Sequence, residues 1–138
     1  MNNKNAEGYF DPTAYEALVN VTREEKKKNY KPLVYVASPY SGDPERNSAK
    51  AEGYCRFAVS KGCIPIAPHL HYPRFLDDND HNERELGLYA ALVLLAKCDA
   101  VWVFGGTITE GMSREIAKAE KRGIPIHYFN YKMEEVRS

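Results

Sequence analysis

From residue 33 onward, four short apolar runs punctuate the chain: LVYVA at 33–37, CIPIA at 63–67, AVWVF at 100–104 and IPIHYF at 124–129. Each is bounded by polar residues, glycine or proline, and β-branched or aromatic side chains are frequent in them. Such runs predict strands buried on both faces. The prolines of the second run place it near a sheet edge.

Between the runs the spacing changes to that of helices. Asp43-Pro44 supplies an N-cap and a first-turn proline. Ala51, Tyr54, Cys55, Ala58 and Val59 then carry an apolar face toward Lys61, where Gly62 stops it. The segment 83–98, ERELGLYAALVLLAKC, is apolar over so much of its surface that it needs cover on more than one side. A further helix is expected over 111–122. Near the start of the chain, Asp11-Pro12 opens a short amphipathic helix with Ala14, Leu18 and Val21 in register, followed by the charged REEKKKNYKP. Residues 1–30 are therefore expected to form a helical appendage and residues 31–138 an α/β domain.

Strands that alternate with helices predict a mainly parallel sheet of about four or five strands, with right-handed crossovers and helices on both faces. In such sheets ligands bind beyond the carboxyl ends of the strands. Three polar loops converge there: SPYSGDPERN after the first strand, PHLHYPRF after the second and GGTITEGMSRE after the third.

Composition narrows the class of function. The chain of 138 residues is 43% hydrophobic and 28% charged, as in an ordinary globular domain, and its formal net charge is zero. Nothing in that balance points to nucleic acid or an anionic membrane as partner. No stretch reaches transmembrane length and MNNKNAEGYFDP is no signal peptide, so a cytoplasmic protein is expected. Cys55, Cys63 and Cys98, odd in number and without a CxxC, argue against a disulfide framework or zinc knuckle. His69 and His71 form an HxH with no third ligand at metal-binding spacing. Contact with a ligand, beside Tyr72, Pro73 and Phe75 as stacking surfaces, is their expected use, and neither metal nor cofactor is expected.

The third loop carries the sharpest candidate. Helical side chains tilt toward the N-terminus, so Glu115 should lie over the turn holding Gly111, where the missing side chain lets a ligand approach. Met112 would form an apolar wall beside it. Thr107 and Thr109 can cap the helix, and Thr107 with Glu110 has capping-box spacing. A carboxylate so placed can attack an anomeric carbon or hydrogen-bond ribose hydroxyls; it can equally serve only to complement the helix dipole.

LVYVASPYSGD, IPIAPHL and KCDAVWVFGGTITEGMSREIAKAEKRGIPI together resemble the nucleoside 2-deoxyribosyltransferase superfamily, in particular its small phage and bacterial members of largely undefined function. The resemblance spans about 31–129. It implies a Rossmann-like or flavodoxin-like three-layer sandwich with strand order 2-1-3-4, and a homodimer or higher homo-oligomer. It implies that Glu115 is the nucleophile toward C1′ of a (deoxy)ribosyl group and that Tyr40 orients it. From the three loops themselves, substrate contacts are expected at Ser38, Pro39, Ser41, Gly42, His69, His71, Tyr72, Gly105, Gly106, Gly111 and Met112. Members of the superfamily often carry an aspartate in the helix before the third strand. Spacing back from Asp99 puts that slot near Ala91, which has no acid; Glu83 and Glu85 are the nearest acids upstream. Either Glu85 takes over part of the role, or the chain is a non-catalytic module that sequesters a nucleotide, such as a signalling nucleotide in phage–host conflict.

A phosphate on the ligand would find hydroxyls at Ser38 and Ser41, the flexible Gly42, a helix N-terminus and the guanidinium of Arg46. Against this, Asp43 places a negative charge at the same helix start.

Overall fold

The computed structural model describes residues 29–137. The helix expected from Pro12 lies outside that range. Within it the order is β1 (Leu33–Ala37), α1 (Pro44–Ser60), β2 (Ile64–Ile66), two short 3-10 turns (Pro68–Leu70 and Tyr72–Arg74), α2 (His81–Leu95), β3 (Ala100–Phe104), α3 (Glu110–Arg122), β4 (Ile126–Phe129) and β5 (Glu135–Val136).

The sheet runs β2-β1-β3-β4-β5. Its first four strands are parallel, with Tyr35 opposite Ile66 on one side and Val101 on the other, and Trp102 opposite His127. This is the expected 2-1-3-4 order in a Rossmann-like α/β layout. β5 returns antiparallel to β4 through a turn in which Asn130 Oδ1 accepts the backbone N–H groups of Lys132 and Glu134 at 2.9 and 3.0 Å.

Strand alternation divides the core into two layers. Tyr35, Ala37, Val101 and Val103 pack with Ala91 and Leu95 of α2 and with Met112 and Ala119 of α3. Val36, Phe104 and Phe129 pack with Tyr54 and Phe57 of α1. The second layer is largely aromatic: Tyr54 stacks on Phe104 at 4.3 Å, and Phe104 on Phe129 at 4.9 Å. Trp102 is half-buried against the same rings. Among the described residues no helix is long and apolar enough to cross a membrane.

Caps fix where the helices begin. Asp43 accepts from Arg46 N at the start of α1, as its Asp-Pro signal predicts. α2 starts ahead of the apolar pattern because Asp80 Oδ1 accepts from Asn82 N and Glu83 N, so its first turn is polar. α3 is capped by Thr109, whose Oγ1 accepts from Met112 N at 3.2 Å. The capping-box spacing of Thr107 and Glu110 is not used: Glu110 is the first helical residue, and its carboxylate pairs with Arg114.

Candidate functional site

A cavity of about 260 Å³ opens at the carboxyl edge of the parallel strands. Four segments build it: the end of β1 with its loop, the 3-10 region after β2, one face of α2, and the first turns of α3. The three loops expected to converge there contribute unequally. The first supplies Ser38, Tyr40 and Ser41, the second His69 and Tyr72, and the third Thr109, Gly111 and Glu115.

Glu115 is half-buried as a residue, but its Oε2 is sealed from solvent. That oxygen is the sole buried side-chain polar atom without a hydrogen-bond partner among the described residues. Burial pushes the carboxyl up to about 7, while a hydrogen bond donated by the Tyr35 hydroxyl pulls the other way. Burial and the adjacent carboxylate in turn raise the Tyr35 hydroxyl well above its ordinary value. Tyr35 is 1% exposed, the middle residue of β1, and turned to the face that α3 covers. Gly111 lines the cavity above this pair, and a Cβ built there would touch only Thr109 Oγ1, at 4.0 Å. The missing side chain thus leaves room over the carboxyl.

A second polar pair lines the cavity. Ser38 Oγ and His69 Nε2 are 2.8 Å apart, and Ser38 is 7% exposed. Burial lowers the imidazole to about 4, so the ring is neutral at physiological pH. His71 points elsewhere: it is exposed and packs edge-on against Tyr72 and Phe75 at 5.8 and 5.2 Å. The two histidines of the HxH therefore do not face a common point.

At the rim, Arg114 bridges α3 to α2. Its guanidinium is 3.1 Å from Glu85 and 3.0 Å from Glu110. Glu85, expected in the site, thus lines the cavity as half of an ion pair. Ala91 lines it too, as a small buried wall residue.

Other expected residues sit away from the cavity lining. Met112, expected as an apolar wall of the site, is 1% exposed and packs into the core with Tyr35, Val103 and Ala119, because its apolar side chain fills the space between α3 and the sheet. Arg46 and Gly42 are exposed, and Pro39 is half-buried. Asn47 Nδ2 donates to the carbonyls of Tyr40 and Ser41 at 3.0 and 3.1 Å and so shapes the first loop from behind. Gly105 and Gly106 form the exit of β3; Gly105 has φ +91°, a left-handed conformation that side chains rarely adopt, and this turns the chain toward α3.

Sequence reasoning missed Tyr35 and Arg114. The signal for Tyr35 was a phenol at the centre of an otherwise aliphatic strand, since a buried tyrosine hydroxyl requires a partner. The signal for Arg114 was its spacing of four from Glu110 on one helix face.

A carboxyl that is enclosed, half-titrated near neutrality and short of one hydrogen bond can attack an electrophilic carbon or accept hydroxyl donors from a ligand. In fold the chain is similar to the solved 2-deoxyribosyltransferase of the psychrotolerant bacterium Bacillus psychrosaccharolyticus, at 18% identity and a TM-score of 0.55, over 76% of this chain and 77% of that one. That enzyme is described as a biocatalyst for the synthesis of antiviral and antitumoral nucleosides. No curated protein matches the chain. Residues 32–129 match the family described as Domain of unknown function (DUF7768), a span that contains every residue lining the cavity. The chain belongs to the DUF7768 family.

Proposed function

We propose that the protein cleaves or exchanges the N-glycosidic bond of a nucleoside-like metabolite, with Glu115 as nucleophile. The observation that carries this reading is the sealed, unpartnered Oε2 of Glu115 in the wall of the cavity. A bond forms between a Glu115 oxygen and C1′ while the C1′–N bond breaks and its electron pair leaves with the base. A second base or water then takes the sugar from the glycosyl ester. Tyr35 holds the carboxyl in place, Tyr40 and Ser41 offer hydroxyls to the sugar, and Tyr72 offers a flat face to the base.

The test is a panel of nucleosides and nucleoside monophosphates, with free base followed by chromatography. The wild type should release base, and Glu115→Gln should lose that activity by orders of magnitude while remaining folded.

A second reading is a binding module that holds a nucleotide intact. It is favoured by Ala91, a small apolar side chain on the cavity wall in the slot where the resemblance leads one to expect an acid. A ligand that raises the melting temperature without any base release would favour this reading.

We also propose a homodimer. Leu86, Tyr89 and Val93 are exposed along one stripe of α2, and a second copy of the chain would cover them.

A further inference from the structure

The walls of the cavity are charged unevenly. Asp78, Glu83, Glu85, Glu110 and Glu115 line it against two guanidiniums, Arg84 and Arg114, although the whole chain is formally neutral. Arg114 is already engaged by two of those acids. Arg46, the cation that follows the hydroxyl-bearing first loop, is exposed and does not line the cavity. The fifth carboxyl, Glu115, has an enclosed oxygen with no partner.

We propose that the ligand of this site is an N-glycoside whose base bears a positive charge, of the N-ribosylpyridinium or N-alkylated heterocycle class, and which carries no phosphate. The chemical step rests on the Glu115 reading given above; the charge preference rests on the cavity walls alone.

Two physical arguments converge on this class. The first is electrostatic. A cleft lined mainly by one sign of charge concentrates ligands of the opposite sign and repels those of its own. A phosphate dianion would enter among carboxylates, whereas a cationic ring would be attracted.

The leaving group favours the same class. A neutral base departs readily only if an acid protonates it. His69, held neutral by burial, carries no proton to spare, and Tyr35 is held against losing its own. A cationic base needs neither. As a Glu115 oxygen bonds to C1′, the electron pair of the breaking C1′–N bond cancels the positive charge on the ring nitrogen. The base leaves neutral with no proton transferred. Water then attacks C1′, frees Glu115, and yields the sugar and one proton per turnover.

The experiment uses the full chain and three probes: nicotinamide riboside, its uncharged reduced dihydropyridine form, and its 5′-monophosphate. Binding is measured by calorimetry on Glu115→Gln, which lacks the proposed nucleophile and keeps four wall acids, Asp78, Glu83, Glu85 and Glu110, against the two guanidiniums. Each exposed carboxylate contributes modestly, and several together should favour the cationic riboside over the neutral form by about tenfold. The monophosphate should bind more weakly than the riboside. In an Asp78→Asn, Glu83→Gln background the ratio of the two affinities should shrink. Equal affinity for charged and neutral forms, tighter binding of the monophosphate, or no binding of the riboside would each overturn the inference. Turnover on wild type separates this result from the fate of the catalytic reading. Preferential binding of the riboside without release of nicotinamide or protons sinks the glycosidase and leaves the charge preference standing. Cleavage of neutral nucleosides with no binding of the riboside does the reverse.

Discussion

The hydroxyl of Tyr35, from the centre of β1, hydrogen-bonds the carboxyl of Glu115, which sits in the second turn of α3. A strand at the middle of the sheet thereby fixes a side chain on the helix that follows β3. Tyr35→Phe removes the one hydrogen bond that pulls the Glu115 carboxyl down. The rising limb of the pH–rate profile should move to more alkaline pH, and the rate at pH 6 should fall about tenfold while the high-pH plateau recovers. A uniform loss at every pH would mean that Tyr35 is merely structural. Tyr40→Phe, at the cavity wall, should cost less, about 1 kcal/mol of transition-state stabilisation.

Stability should show the same burial. The folded-state carboxyl of Glu115 titrates at about 7 against an ordinary 4.5, so the folded protein holds a proton that the unfolded chain has released in between. That contribution is fully present below about 4.5 and is lost as pH rises through about 7. Glu115→Gln should therefore be more stable than wild type at pH 8, by about 2–3 kcal/mol in denaturant unfolding, and gain little at pH 5. An equal gain at both pH values would contradict the buried titration.

His69 acts in the opposite direction. Its folded value of about 4 lies below the ordinary 6.5, so its contribution is present above about 6.5 and lost as pH falls toward 4. The two slopes oppose each other where their windows overlap, and single variants separate them. His69→Gln should flatten acid destabilisation between pH 6.5 and 4. Ser38→Ala, which strips the 2.8 Å partner from the ring, should cost about 1–3 kcal/mol near neutrality. A wild-type acid limb that His69→Gln leaves unchanged would remove the histidine from this account.

Much of the architecture was legible because the apolar runs switch cleanly between strand and helix periods. LVYVA, AVWVF and the Asp43-Pro44 start appear where the pattern puts them. Helix starts set by polar caps were harder: Asp80 begins α2 within a segment, DDNDHN, that reads as loop. The cavity was legible to the extent that loops carry it. Ser38, His69, Gly111 and Glu115 lie in or just after polar, Gly- or Pro-rich segments, which announce themselves. Tyr35 was hidden because it belongs to the core by position and to the cavity by its hydroxyl. Met112 misled for the converse reason, since its neighbours in sequence face the cavity while its own side chain fills the core.

The stripe of Leu86, Tyr89 and Val93 on α2 predicts self-association. Sedimentation at micromolar concentration should give a dimer, and Tyr89→Glu should shift it toward monomer without unfolding. A wild-type monomer under those conditions would count against the dimer.

Glu115 as nucleophile requires a covalent bond between its carboxylate and the sugar. Rapid acid quench of wild type with a cleaved nucleoside, followed by mass spectrometry, reads that bond. The peptide that holds Glu115 should gain the mass of one (deoxy)ribosyl unit, and the gain should be absent in Glu115→Gln. Base release by Glu115→Gln at the wild-type rate, or an adduct mapped to another residue, would contradict it.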